Sequence, residues 1–178
     1  MRDLNKYTSD YINMPFEDEQ LKYRRKKVIE IMSHYKPKNI LEIGCGMDSI
    51  VNHYINFNSF TIVEPSKKFY EKAIKDNCAK NNVYIFNDYL EKFSDKNSDK
   101  KFEFIIVSSL LHEIENKDDF ISKLNEISAR EAIIHFNVPN AKSFHRLLAF
   151  EMKIIDDLYH KSEMQKTMQQ NTIFDIDS

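Results

Sequence analysis

The sequence predicts an α/β domain, doubly wound around a mostly parallel sheet. Three observations predict it. From Asn39 onward, short apolar runs alternate with stretches of helical period. One run, Phe104-Ile105-Ile106-Val107, is apolar at every position, which suits a strand covered on both faces. The two glycines of the chain stand together in Gly44-Cys45-Gly46, directly after the first apolar run. Strand–helix alternation of this kind is the pattern of a parallel sheet flanked by helices.

The elements follow in order. Residues 1–16 are polar and aromatic, with Tyr7, Tyr11 and Phe16, and read as a loose lead-in or a short cap. Residues 17–35 put Leu21, Val28, Ile29, Ile31 and Met32 on a partial apolar face, so a helix is expected, stopped by Pro37. Strands are expected at 39–43, 60–63, 83–86, 102–107 and 132–138. Helices are expected at 47–57, 66–81, 89–93, 117–128 and 141–158, with Ser66 and Asn140 as N-caps and a polar loop over 95–101. This divides the chain into an N-terminal helical cap, 1–37, and the doubly wound domain, 38–178. The last residues, Ile173 to Ser178, read as the approach to a further helix.

Composition bounds the function. The chain has 178 residues, 42% apolar and 30% charged, which suits one globular domain. A net charge of -2 argues against a general affinity for nucleic acid or an anionic membrane, although Lys22 to Lys27 form a local basic patch. No apolar run approaches the roughly 18–20 residues that span a bilayer. The first residues do not resemble a signal peptide. Cys45 and Cys78 form no framework of bridges, so a reducing, cytoplasmic setting is the default. The six histidines show no HxxxH spacing, and no metal site is expected. A homodimer is left open.

Two glycines are far fewer than the roughly 7% of average usage. Glycine is kept where the backbone needs positive φ or close approach to a ligand. In an open parallel sheet, ligands sit at the carboxyl ends of the strands, so the tripeptide marks the first βα turn of a binding crevice. Glu42 stands just before it, and Glu64 ends the second strand, where a carboxylate can accept hydrogen bonds from ribose hydroxyls. A dinucleotide fingerprint asks for a third glycine where Ser49 stands, and no Lys-Ser/Thr follows for a phosphate loop. A nucleoside ligand without pyrophosphate is therefore favoured. A nicotinamide-dependent oxidoreductase and a cofactor-binding module without catalysis remain as alternatives.

Several segments resemble those of one family. Leu41-Glu42-Ile43-Gly44-Cys45-Gly46 resembles the first motif of class I S-adenosylmethionine-dependent methyltransferases. Val63-Glu64-Pro65-Ser66 resembles the second, Asn87-Asp88-Tyr89 the third, and Phe104 to Glu113 the fourth strand with its loop. They fall in the family's order over residues 38–115. The resemblance implies a Rossmann-like methyltransferase fold with S-adenosylmethionine as cofactor and S-adenosylhomocysteine as product. It places Glu42, Gly44, Cys45, Gly46, Glu64, Pro65, Asp88, Tyr89, Ser108 and Leu110 around the cofactor, Asp88 reaching the adenine amino group. From the N-terminal segment, Tyr11 and Arg25 either fold over the cofactor as a lid or pack an amphipathic helix on the sheet.

The loop after the fourth strand faces the reacting methyl group in this family. His112 there acts either as a general base, its ordinary pKa being near neutral, or only by packing. Glu113, Asn140, His145 and Arg146 are expected on the acceptor side. Arg146 either clamps a phosphate or carboxylate or belongs to an ion-paired helix face. The run Val138-Pro139-Asn140-Ala141-Lys142-Ser143-Phe144-His145-Arg146 resembles a bacterial branch linked to surface-polysaccharide and small-molecule modification. The acceptor it implies is an O or N atom of a small molecule, such as a sugar or a phosphorylated capsule precursor. The sequence departs from the family by stopping before the usual C-terminal strand pair, so an incomplete sheet of five strands is expected.

Overall fold

The structure, a computed structural model, describes residues 3–14 and 17–175. Phe16 and residues 176–178, the end of the stretch read as the approach to a further helix, lie outside the described residues. Five strands form one sheet: β1 (Asn39–Ile43), β2 (Ser59–Val63), β3 (Val83–Phe86), β4 (Phe102–Ser108) and β5 (Ser128–Asn137). Their order is β3-β2-β1-β4-β5, and every pairing is parallel. The chain runs outward from β1 to β3 on one side, then crosses to β4 and β5 on the other. This reversal opens a crevice at the carboxyl ends of β1 and β4.

The apolar runs become strands because period-two alternation lets both faces be buried. Ile40, Phe60, Ile62, Phe104 and Ile106 point into one core, where Val28 and Met32 of helix α2 (Glu17–Tyr35) and Ala73 of α3 (Lys67–Asn77) pack. Leu41, Ile43, Val63, Ile105 and Val107 point into the other. That face is covered by Phe93 of α4 (Leu90–Lys96) and by Phe120, Leu124 and Ile127 of α5 (Lys117–Ile127). No helix among the described residues is long and apolar enough to cross a membrane.

The structure departs from expectation at several places. Of the two readings of residues 1–16, the short cap fits and the loose lead-in does not: residues 4–12 form a helix, α1, whose start is capped by the Asp3 carboxylate accepting from the Asn5 and Lys6 N–H groups. The helix expected over 47–57 is only a 3-10 turn, Ile50–Asn52. Ser49 caps it, the Glu42 carboxylate takes the Ile50 N–H, and β-branched and Asn residues then favour leaving the helix. Ser66 occupies the N-cap position of α3 without a side-chain capping bond. Its hydroxyl is spent on Thr8. The long helix expected over 141–158 shrinks to α6 (Phe144–Glu151). Lys153 turns the chain at φ +56°, and the Arg146 guanidinium holds the returning carbonyls of Leu158 and His160. Asn140 is not the cap of this helix: its carboxamide oxygen accepts from Lys142 N–H, and its backbone bridges in parallel to Phe174. A further short helix, α7 (Glu163–Thr167), precedes that bridge.

Candidate active site

A cavity of about 570 Å³ opens where β1, β2 and β4 end, between the sheet and α1. Its volume falls in the roughly 300–1,000 Å³ range of small-molecule and cofactor pockets. Gly44, Cys45 and Gly46 form its floor. Gly44 sits at φ +75° and Gly46 at φ +56°, the left-handed region that side chains adopt at a cost. A Cβ on Gly46 would meet the Tyr11 hydroxyl at 3.5 Å, and one on Gly44 would meet Leu110 Cδ2 at 3.6 Å. Those are ordinary contacts, so the backbone angle and the approach of a ligand, more than crowding, call for glycine.

Two buried carboxylates flank this turn. Glu64 accepts the Ser66 N–H at 2.7 Å and the Gly46 N–H at 3.3 Å. Burial raises its pKa, and the two backbone bonds act against that rise. Glu42 accepts from the Ser49 hydroxyl and from the Ile50 N–H. Burial pushes it up to about 7, with Glu64 and Asp48 adding to the rise. The Cys45 thiol is also pushed up by burial, which disfavours the thiolate a nucleophile needs.

At the far end, Asp88 is held below the usual carboxylate range, first by its hydrogen bond to Lys96 Nζ at 2.7 Å. Tyr89 and Pro65 line the wall beside it. Ser108 and Leu110 line the opposite wall, where the Ser108 hydroxyl is buried without a hydrogen-bond partner among the described residues.

Helix α1 closes the top through Leu4, Tyr7 and Tyr11. The Tyr11 ring meets Phe69 edge-on at 5.6 Å, and its hydroxyl donates to Glu17 at 2.5 Å. Arg24 ion-pairs with the same Glu17. The Thr8 and Ser66 hydroxyls bond at 2.8 Å, joining α1 to the end of β2. Arg25 pairs with Asp48 at 2.5 Å, and its Nε is buried without a hydrogen-bond partner among the described residues.

The structure thus gathers Tyr11, Arg25, Glu42, Gly44, Cys45, Gly46, Glu64, Pro65, Asp88, Tyr89, Ser108, Leu110 and Glu113 around one cavity. It does not bring His112, Asn140, His145 or Arg146 to the wall. His112 is 2% exposed, its Nε2 is 3.8 Å from Glu113 Oε1, and its carbonyl accepts from Asn171 and Thr172. The guanidinium of Arg146 is occupied by backbone carbonyls. Leu4, Thr8, Glu17 and Asp48 escaped the sequence reading. Only the i, i+7 spacing of Glu17 and Arg24 on one helix face could have pointed to any of them. No group of three or more metal-ligating side chains occurs among the described residues.

A sequence profile of the family described as a methyltransferase domain matches residues 18–175. The chain belongs to this family. It is a class I S-adenosylmethionine-dependent methyltransferase. No curated protein matches the sequence. Solved structures match the fold. The plantazolicin methyltransferase BpumL, in complex with S-adenosylhomocysteine, has a TM-score of 0.66 at 15% identity, covering 98% of this chain and 70% of that one. The N-methyltransferase NodS from Bradyrhizobium japonicum WM9, also with S-adenosylhomocysteine, has a TM-score of 0.60 at 17% identity, covering 76% and 68%. DhpI, in its SAM-HEP complex, has a TM-score of 0.61 at 16% identity, covering 85% and 69%.

Proposed function

We propose that this methyltransferase holds S-adenosylmethionine in the cavity and passes its methyl group to an O or N atom of a small molecule at the mouth. The observation that carries the reading is Glu64, buried at the end of β2 and held over the Gly44–Gly46 turn by two backbone N–H groups. A carboxylate there suits ribose hydroxyls, while Asp88 and Tyr89 suit the adenine end. Arg25 offers its buried Nε–H to the carboxylate of the amino-acid tail, and Glu42 offers an acid to the ammonium. Of the cations on the wall, Arg24 pairs with Glu17 and the terminal nitrogen of Arg25 with Asp48, which leaves Lys92 and the single Arg25 Nε–H, a poor set for a pyrophosphate.

When bound, the cofactor supplies a methyl group activated on a sulfonium. The residues of this chain position the acceptor and exclude water, with Tyr7 and Tyr11 above and Leu110, Glu113 and Ile114 at the side. Such transfer depends mainly on proximity, with reacting atoms about 3–3.5 Å apart. Glu113 and Glu115 on the wall suit a sugar or an amine better than a phosphorylated precursor. The resemblance of residues 138–146 to a polysaccharide- and small-molecule-modifying branch supports acceptors of that size. His112 acts by holding its loop, because its side chain is buried away from the wall.

Calorimetric titration with S-adenosylhomocysteine tests the reading, with NADH as control. Saturable binding is expected, weakened about 100-fold in Glu64→Ala, as for loss of hydrogen bonds to a charged group. Binding of NADH in its place would transfer the chain to the oxidoreductase reading. Binding followed by labelled-methyl transfer in an acceptor screen would separate an enzyme from a cofactor-binding module.

A further inference from the structure

We propose that residues 169–172 form a strap coupling the α1 lid to the acceptor-side loop, with Gln169 and Asn171 as its positioning residues. The inference rests on the reading of the cavity as the cofactor site. The two walls it joins are distant in sequence. One is α1, which carries Leu4, Tyr7 and Tyr11; the other is the 3-10 turn Leu111–Glu113 with its flanks, which carries Leu110, Glu113 and Ile114.

The strap is anchored at both ends. Met168 on one side and Ile173 on the other are buried, at 3% and 7% exposure. Between them, the side chain of Gln169 bonds the backbone of Asp3 in both directions. Its Nε2 donates to the Asp3 carbonyl at 3.3 Å, and its Oε1 accepts the Asp3 N–H at 3.3 Å. Asp3 is the residue that caps α1, so the grip falls where the lid helix starts. Gln169 makes this contact from φ +55°, a conformation that costs a non-glycine residue free energy and persists only where its surroundings hold it.

Two residues on, Asn171 grips the other wall. Its N–H donates to the His112 carbonyl at 2.7 Å, joined by the Thr172 N–H at 3.1 Å. Its Nδ2 donates to the Glu113 carbonyl at 2.8 Å. A single 3-10 turn cannot bond its last carbonyls within itself, and the strap donates to those of His112 and Glu113. The lid and the loop therefore share one support. Loosening either grip frees both walls, and closing the lid over the cofactor sets the acceptor wall in the same motion.

Hydrogen exchange on the full chain, first without ligand, tests this. Asn171→Asp keeps the size and removes the Nδ2 donor; Asn171→Ala removes it without adding charge. Gln169→Gly relieves the backbone strain and removes the amide. Each variant is expected to speed exchange about tenfold in both residues 4–12 and residues 111–116, while β1 and β4 keep their rates. S-adenosylhomocysteine affinity is expected to fall about three- to tenfold in each, and no further in the double variant, as for residues acting through one element. Exchange that quickens only beside the substituted residue would overturn the coupling, as would additive losses in affinity. Because the exchange arm needs no ligand, it judges the strap even if the native chain fails to bind S-adenosylhomocysteine, a result that would instead overturn the cofactor reading.

Discussion

The two ends of this molecule handle polar and apolar groups in opposite ways. At the carboxyl ends of β1 and β2, Glu42 and Glu64 are buried, and backbone N–H groups and Ser49 satisfy them. In residues 144–154 the large apolar side chains stand outside: Phe144 is 81% exposed, Ile154 68% and Met152 61%. There the Arg146 guanidinium donates to the backbone carbonyls of Leu158 and His160 and folds the chain back on itself. The first end builds a site from the sheet; the second builds a surface from short helices and turns. The difference teaches which half of the chemistry is fixed by the fold. A cofactor of constant shape is met by strand ends and a glycine turn, while no described residue after β5 lines the cavity.

Substitutions should separate the two ends, beginning with the floor of the cavity. Gly44→Val puts a β-branched side chain at φ +75° and toward Leu110, and S-adenosylhomocysteine affinity should fall by more than about 100-fold in calorimetry.

Glu42→Gln should sharpen the contrast through pH. The carboxyl of Glu42 stands at about 7 against an ordinary 4.5, so the folded state binds this proton more tightly than the unfolded chain. The stability linked to it is fully present below about pH 4.5 and is lost as pH rises through about 7. Urea titration should find Glu42→Gln more stable than the native chain by about 3 kcal/mol at pH 8, and level with it near pH 4.

At the other end, Arg146→Ala leaves two carbonyls without their charged donor. It should cost about 1–2 kcal/mol of stability, yet leave S-adenosylhomocysteine affinity within about twofold. A large loss of affinity would break the contrast. Tyr11→Phe is the mildest change: losing the bond to Glu17 should weaken binding about threefold by loosening α1 over the cavity.

The sheet end was also the part the sequence announced. Consecutive apolar residues at 104–107 and the paired glycines encode a doubly buried strand and a left-handed turn, and both physical demands are local. Glu64 was legible because it follows a strand directly. The contacts around the cavity mouth were not: Thr8 of α1 finds Ser66 fifty-eight residues away, and Arg25 of α2 finds Asp48. Periodicity carries no information on such pairs. The helix expected over 141–158 failed for a related reason: its apolar pattern says nothing of Arg146 turning back to the carbonyls of Leu158 and His160. His112 drew attention as a neutral-range base, but residue type alone could not reveal that its side chain is buried behind the wall.

The most direct test of the central claim is hydrogen exchange of the native chain with and without saturating S-adenosylhomocysteine. New protection is expected in residues 4–12, 44–49, 64–66 and 88–91, with none in residues 144–160. Protection confined to residues 144–160, or the pattern expected here appearing with NADH and not with S-adenosylhomocysteine, would contradict the account.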